Sequence, residues 1–577
     1  MDAVLTDATI YQRKQTLDKM TNGFGLDDAY STTLDRIREQ KGSRVKLGME
    51  ALMWVSCSQR QLKAGELCQA LGVKLGNTDL NIDNVPSMRT LLSCTLGLVA
   101  IDEQSSIVRL VHFTLQEYLA AHPNLFITPH SMMAEICLTY LNFQSVCELS
   151  TSIDTVPLEM PFLRYASCYW GFHARKEIGG NVVCLALQLL RQDATHIWVD
   201  ILLREESVEF LSWGDRYCGR SPDLRGFTGL HGIAYMGIAQ VAVAMMDMKI
   251  WDLNGGDSKG ETPLIWASKY GNFTLTKLLL QQQGVDPTLS DKQGLTPLMH
   301  AAMTGHQDVV KLLLGHRDVN PNSSDKSGRT PLSHAVRSKH ENMVKLLLAH
   351  QGVNPDSRDK DGLTPLLDAA GAGGEGIVRL LLQRGDVNPN LTDHLGQTPL
   401  VRAIEYWHEG IVGLLLERDD VNPNLPDMYG TTPLLSAVQN GELGIMELLL
   451  DRADADPNSS HEDDVMTLLY AARTEDVMEL LLERVDVDLG GCGQEILAYA
   501  AKSRCEDLVK LLLKRGCLDP NWSDDMGRTQ LSYAAEGDVR ALCGGYSSSR
   551  GILTPIRRIS MAGHQCRMLP SLDLRAS

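Results

Sequence analysis

DKQGLTPLMHAAMTGHQDVVKLLLGHRDVNPN, residues 291–322, is the stretch that decides the fold. Thr296 can cap a helix by accepting a hydrogen bond from a free backbone N–H. Pro297 at the first helical position loses nothing, because that N–H has no intrahelical partner. Leu298, Ala301 and Ala302 form an apolar stripe of small residues that lets helices approach closely, and Gly305-His306 breaks this first helix. Val309, Val310, Leu312 and Leu313 give the buried face of a second helix at the helical period. Val319-Asn320-Pro321-Asn322 ends it, and Asp325 to Gly328 turns tightly before the next cap.

The same wording returns every 34 residues, at Thr262, Thr296, Thr330, Thr364, Thr398 and Thr432, each followed by Pro-Leu. A fixed period of this size means stacked repeats, which build long binding surfaces rather than catalytic pockets. Thr228-Gly229-Leu230-His231 lies one period earlier, and Met466 one period later, with Leu468 and Ala471-Ala472 in phase. Glu495 to Ala501 fits a unit shortened by five residues, and Thr529-Gln530-Leu531 resumes the spacing. That makes ten starts between residues 225 and 540, the first degenerate and the last incomplete. Helix, turn, helix and turned finger resemble the ankyrin repeat, whose pattern contains T-P-L-H-x-A. The family histidine is present at His231, whereas Met299, Ser333, Leu367, Val401 and Leu435 replace it elsewhere. His300 and His334, one position later, read as polar groups on the first-helix surface, with nothing nearby to complete a metal site.

The 577 residues carry 54 Lys and Arg against 72 Asp and Glu, a formal charge of −18. This argues against nucleic acid as the main partner, since phosphate backbones require a basic face. Residues 541–577 reverse the balance with five Arg and one Asp. Thirteen cysteines are scattered without a Cys-x-x-Cys pair or zinc spacing, which suits reduced thiols in the cytoplasm, or in the nucleus. Leu91 to Ile101 is the longest nearly apolar run and is too short to cross a bilayer, so no membrane association is expected.

Ahead of the array, residues 1–40 read as a helical lead-in, 41–124 as three helices and a hairpin, and 125–224 as a helical connector. The expected helices are Leu47 to Cys57, Ala64 to Leu71 and Pro86 to Leu96. The hairpin pairs Leu98–Ile101 with Ile107–Val111 across a turn at Glu103 to Ser106. Three helices and a hairpin describe a winged helix. ALMWVSCSQRQLKAGELCQALGV, TLLSCTLGLVAID, RLVHFTLQEYLAAHP and PFLRYASCYWGFHAR resemble the region after the nucleotide-binding domain in fungal NACHT–ankyrin proteins of the STAND type. That resemblance implies a signal-transducing relative of innate-immunity ATPases. The G-x-x-x-x-G-K-[ST] phosphate loop such an ATPase needs is missing here, so neither the ATPase activity nor a nucleotide cofactor carries over.

No G-x-S-x-G, H-E-x-x-H or cysteine-nucleophile pattern appears, and no catalytic role is expected. His112, Glu117 and His122 lie close in sequence, but His112 opens a helix and reads as its cap. The acidic run from Asp454 to Asp464 lacks the spacing and glycine of a calcium loop and reads as a solvated finger. Exposed residues that break the repeat pattern are the binding candidates. Finger tips such as Asp325-Lys326-Ser327-Gly328 become His394-Leu395 and Met428-Tyr429, and a Gly-His turn becomes Tyr406-Trp407-His408. Aromatic residues and Met are typical interface anchors.

From about Cys543 the repeat pattern stops. Leu553 to Pro570 can be encoded so that reading two bases later yields DPNSKDQYGRTPMSYAA, a further repeat in phase with the array. The chain is therefore expected to be read out of frame from about residue 540, leaving the array without a polar cap. The reading as a whole is a mainly α chain, with an ankyrin solenoid behind a winged-helix remnant and a helical connector. Its expected function is a non-enzymatic protein–protein scaffold or sensor without cofactor or metal. The alternatives are a transcriptional co-regulator that docks a transcription factor beside a fungal secondary-metabolite gene cluster, and a truncated NACHT NTPase.

Overall fold

The computed structural model describes residues 26–149, 157–191, 196–209, 223 and 225–455, with single positions at 497, 512, 523, 527 and 528. The expected repeat starts at Met466, Glu495 and Thr529, most of the acidic run and the tail from 541 lie outside the described residues. So does the lead-in up to residue 25. Compact units end at Asn388 and begin at Pro389.

Helix α1, Leu26–Arg38, is part of the front core rather than a lead-in to it. Tyr30, Leu34 and Ile37 recur on one helical face and are buried. The Tyr30 hydroxyl lies 2.7 Å from Thr114 Oγ1, 84 residues away in sequence. Helix α2, Ser43–Cys57, starts four residues before its expected Leu47 and buries Ala51, Leu52, Met53 and Trp54. Helix α3, Ala64–Gly72, and helix α4, Met88–Cys94, follow, the latter shorter than expected because Ser87 caps it. Strands β2, Val99–Ile101, and β3, Ile107–Leu110, form the expected antiparallel hairpin with Ala100 opposite Arg109. A third strand, β1 at Leu62–Lys63, pairs with β3 to give the order β1-β3-β2. Two residues are too short to show a sequence period, so this strand was not expected. Glu66 secures the corner, accepting from both Arg60 guanidinium nitrogens (2.8 and 2.7 Å) and from Lys63 N (2.8 Å).

Helix α5, Phe113–Ala121, starts at His112, whose ring accepts from Thr114 N as a cap. Helix α6 (Pro129–Leu141), the short α7 (Gln144–Cys147), α8 (Phe162–Lys176), α9 (Gly180–Leu190) and α10 (Ile197–Glu209) make up the connector. Its core is aromatic: Trp54 meets Phe162 and Tyr165 edge-on, and Trp170 meets Trp198 edge-on at 6.2 Å.

In the repeats the first helices run Gly229–Met236, Pro263–Lys269, Pro297–Thr304, Pro331–Arg337, Pro365–Gly371, Pro399–Glu405 and Pro433–Asn440. In the six Thr-Pro units the Thr hydroxyl accepts from the backbone N–H three residues on, for example Ser333 N to Thr330 at 3.3 Å. Replacing Thr330 with Ala is expected to cost about 1 kcal/mol in urea unfolding. An unchanged midpoint would mean that Ser333, 3.2 Å from the Thr330 hydroxyl, has taken over. His231 Nδ1 accepts from Thr228 N at 3.0 Å, and its Nε2 lies 3.0 Å from the Glu261 carbonyl of the next unit. Second helices bury fewer positions than expected. Val309, Val310 and Leu313 are buried, but Leu312 lies about 100° round the helix from the centre of that face and is half-buried.

Side chains also tie several units to their neighbours. His306 Nε2 reaches the Lys269 carbonyl at 3.1 Å, and His340 Nε2 the Met303 carbonyl at 3.0 Å. At the unit ends Asn322 Nδ2 donates to the Gly352 carbonyl (2.6 Å), while its Oδ1 accepts from Asn354 N (2.8 Å). Asn390 repeats this pair with Asp420 and Asn422.

Candidate protein-interaction surface

Each finger is closed by its own aspartate. Asp427 Oδ1 accepts from Tyr429 N (2.9 Å) and Thr431 N (2.8 Å), and Asp393 Oδ1 accepts from Leu395 N and Gln397 N, both at 2.9 Å. Met428 N donates to the Leu395 carbonyl at 2.9 Å, joining the two fingers. The hairpin backbones are thereby satisfied without help from the tip side chains. Leu395 (46% exposed), Met428 (60%) and Tyr429 (75%) therefore stand in solvent, and His394 is exposed beside them.

The other candidates occupy the turn after the helix Pro399–Glu405. Tyr406 is 52% and Trp407 66% exposed, and the Tyr406 ring stacks towards His408 at 6.4 Å. A seven-residue helix is about 10 Å long, so the turn pair and the finger tips sit at opposite ends of that helix rather than in one spot. Between them Gln397 Nε2 donates to Glu405 Oε1 at 2.6 Å along the helix face. Burial pushes the Glu405 carboxyl above its ordinary range, against the lowering effect of that bond.

Trp407 has a left-handed backbone, φ 60°, at the position held by Gly271, Gly305, Gly373 and Gly441, and by Lys339 with φ 57°. An L side chain costs roughly 1–2 kcal/mol in that conformation. A large, exposed aromatic thus occupies a site where glycine fits better.

The first-helix surface of the preceding units is a ladder of polar side chains paired with aspartates. His300 Nε2 lies 3.1 Å from Asp291 Oδ2, His334 Nε2 lies 3.0 Å from Asp325 Oδ2, and Arg337 pairs with Asp368 at 3.1 Å. Burial lowers the His334 pKa despite Asp325, and burial raises that of Asp368. Contrary to expectation, Glu261 and Asp291 do bring carboxylates around His300, with candidate ligand atoms all within 4.8 Å. Yet Lys269 Nζ sits 3.3 Å from Glu261 Oε1, and Asp291 Oδ1 accepts from Gln293 N and Leu295 N. Both carboxylates are thus already engaged, and this group reads as part of the ladder.

His112, Glu117 and His122 do not converge. His112 caps its helix, while His122 stacks on Tyr118 and bonds its carbonyl at 2.8 Å. A buried chain that the sequence reading missed joins His130 Nδ1 to His173 Nδ1 (2.9 Å), and His173 Nε2 to the Tyr165 hydroxyl (3.0 Å). Burial, with His130 and Lys176 alongside, lowers His173 to about 3, so the chain is neutral packing. No local pattern marks it, since its members sit on two helices.

A family model described as ankyrin repeats (3 copies) matches residues 269–359, 317–391, 349–427, 366–461 and 468–547. A second, described as the winged helix domain of GPI inositol-deacylase, matches residues 35–125. No curated protein matches the chain. Among solved structures it is similar to the ankyrin repeat domain of Bcl-3, at 24% identity and a TM-score of 0.36 over 39% of this chain and 99% of that one. No helix among the described residues is long and apolar enough to cross a membrane. The chain thus carries ankyrin repeats behind a winged-helix domain, and ankyrin repeats imply binding to other proteins.

Proposed function

We propose that the chain is a non-enzymatic scaffold or sensor of the fungal NACHT–ankyrin type, working in the cytoplasm and binding a protein partner through Leu395, Tyr406, Trp407, Met428 and Tyr429. The observation that carries this is the placement of large apolar side chains at the exposed tips and turn. The preceding units have Lys292, Lys326 and Lys360 at the matching tips, and mostly glycine at the turn. None of the five is needed by its own backbone: Asp393 and Asp427 close the fingers, and Tyr406 N and Trp407 N donate to the Arg402 and Ile404 carbonyls. The winged helix at the front supports the NACHT-type reading, since that module is the part of the resemblance a family model also matches.

The test is a pull-down with full-length Trp407→Ala and Tyr429→Ala. Each is expected to keep its circular dichroism spectrum and to retain about ten-fold less partner, the effect of removing an anchor. Undiminished capture by both folded variants would assign binding to another surface.

A further inference from the structure

The partner's chemistry can be read from charge. Residues 225–388 are nearly balanced, with seventeen Lys and Arg against sixteen Asp and Glu. Residues 389–455, which carry the apolar tips and turn, have three Arg against eleven carboxylates. All three arginines are already paired, Arg402 with Asp393 (3.2 Å), Arg418 with Asp420 and Arg452 with Asp454 (2.7 Å). The field over these units is therefore negative, with exposed Glu405 and Glu409 bracketing Tyr406-Trp407-His408. Exposed aromatic faces flanked by carboxylates attract guanidinium and ammonium groups through both ring and charge.

We propose, on the footing of the protein-binding reading above, that this face takes a segment of a partner protein rich in Lys or Arg and carrying apolar anchors. The apolar anchors pack on Leu395, Met428 and Tyr429, and the cations lie against Tyr406, Trp407, Glu405 and Glu409. The excess of carboxylates over cations sets residues 389–455 apart from the nearly balanced residues 225–388, whose tips carry Lys292, Lys326 and Lys360.

The experiment uses the full chain and a fluorescent peptide of alternating Arg and Leu, read by anisotropy. Two further probes replace every Arg with Glu, or every Leu with Ser. The Arg-Leu peptide is expected to bind about ten-fold more tightly than either, and to weaken as salt rises past about 0.15 M. Trp407→Gly is expected to keep or raise the melting temperature, since glycine suits φ 60°, while weakening the Arg-Leu peptide about ten-fold. Glu405→Gln combined with Glu409→Gln is expected to flatten the salt dependence with the melting temperature unchanged.

Equal binding of the Glu-Leu peptide, or an Arg-Leu affinity indifferent to all these substitutions, overturns the proposal. So does equal binding of the Arg-Ser peptide, which would mean diffuse attraction to an acidic chain. Self-association lost in Trp407→Gly, without peptide binding, assigns the face to a second copy and also overturns it. If the basic peptide fails while the pull-down still depends on Trp407, the protein-binding reading stands and only the basic ligand falls.

Discussion

Trp170→Ala is expected to destabilise the junction of connector and first repeat by about 3 kcal/mol, at the lower end of the range for a buried Trp. Trp170 is fully buried on α8 and lies edge-on to Trp198, whose ring in turn lies over Gly232, where a Cβ would come within 2.6 Å of it. One residue further on, Gly171 is so close to Met236 that a Cβ would meet its Sδ at 2.1 Å. The indole therefore fills a space bounded by helices that already touch, and truncation leaves a cavity that neighbouring backbone cannot close. The lower end applies because the buried Trp170 Nε1 has no hydrogen-bond partner, so its removal relieves one unfavourable term. The readout is amide exchange of the helix Gly229–Met236, expected to accelerate about 100-fold. Unchanged protection there would show that α8 does not support the first repeat.

Asp356→Asn is expected to stabilise the chain by about 1–2 kcal/mol near neutral pH. Asp356 occupies the place that Asn322 and Asn390 hold at the ends of their units. Its Oδ2 accepts from Asn388 N at 3.0 Å, as an asparagine oxygen would. Its buried Oδ1 has no partner, where Asn322 and Asn390 donate to the carbonyl thirty residues on. By the repeat pattern the equivalent acceptor is the Asp386 carbonyl, to which an ionised carboxylate has no hydrogen to donate. Burial, with Asp386 adding to it, raises the Asp356 pKa above its ordinary 3.8, against the Asn388 bond, Arg358 and Arg384.

The folded state thus holds this proton more tightly than the unfolded state. This contribution to stability is full below pH 3.8 and is lost as pH rises through the raised folded value. Asparagine supplies the missing donor at every pH. The gain from Asp356→Asn should accordingly be small in acid and grow to a plateau at neutral pH, in urea unfolding at matched pH values. A gain independent of pH would mean that Asp356 holds its proton no more tightly in the folded than in the unfolded state.

The repeats were legible because their determinants are local. A threonine cap, a proline beside it and a glycine turn act within a dozen residues, and each can be read from letters a fixed distance apart. The β2–β3 hairpin was legible for the same reason. Helix α1 was not, because what recruits it is Thr114, 84 residues downstream. Strand β1 was missed because its pairing with β3 is not a local event. Of the candidate surface, the oddity of Trp407 and Tyr429 was visible in sequence by comparison with the other units. Their division between two ends of one helix was not. The carboxylate around His300 likewise comes from a neighbouring unit, Glu261, and no spacing rule within one unit reports it.

The sequence by itself determined the repeat, its phase, its caps and the residues that depart from it, since these depend on backbone chemistry within a single turn or helix. Only the tertiary structure decided which departures are free to bind and which are spent in packing. It left Tyr429 in solvent, set Glu261 beside His300, and stranded one oxygen of Asp356, because burial and partnership depend on what neighbouring units bring alongside.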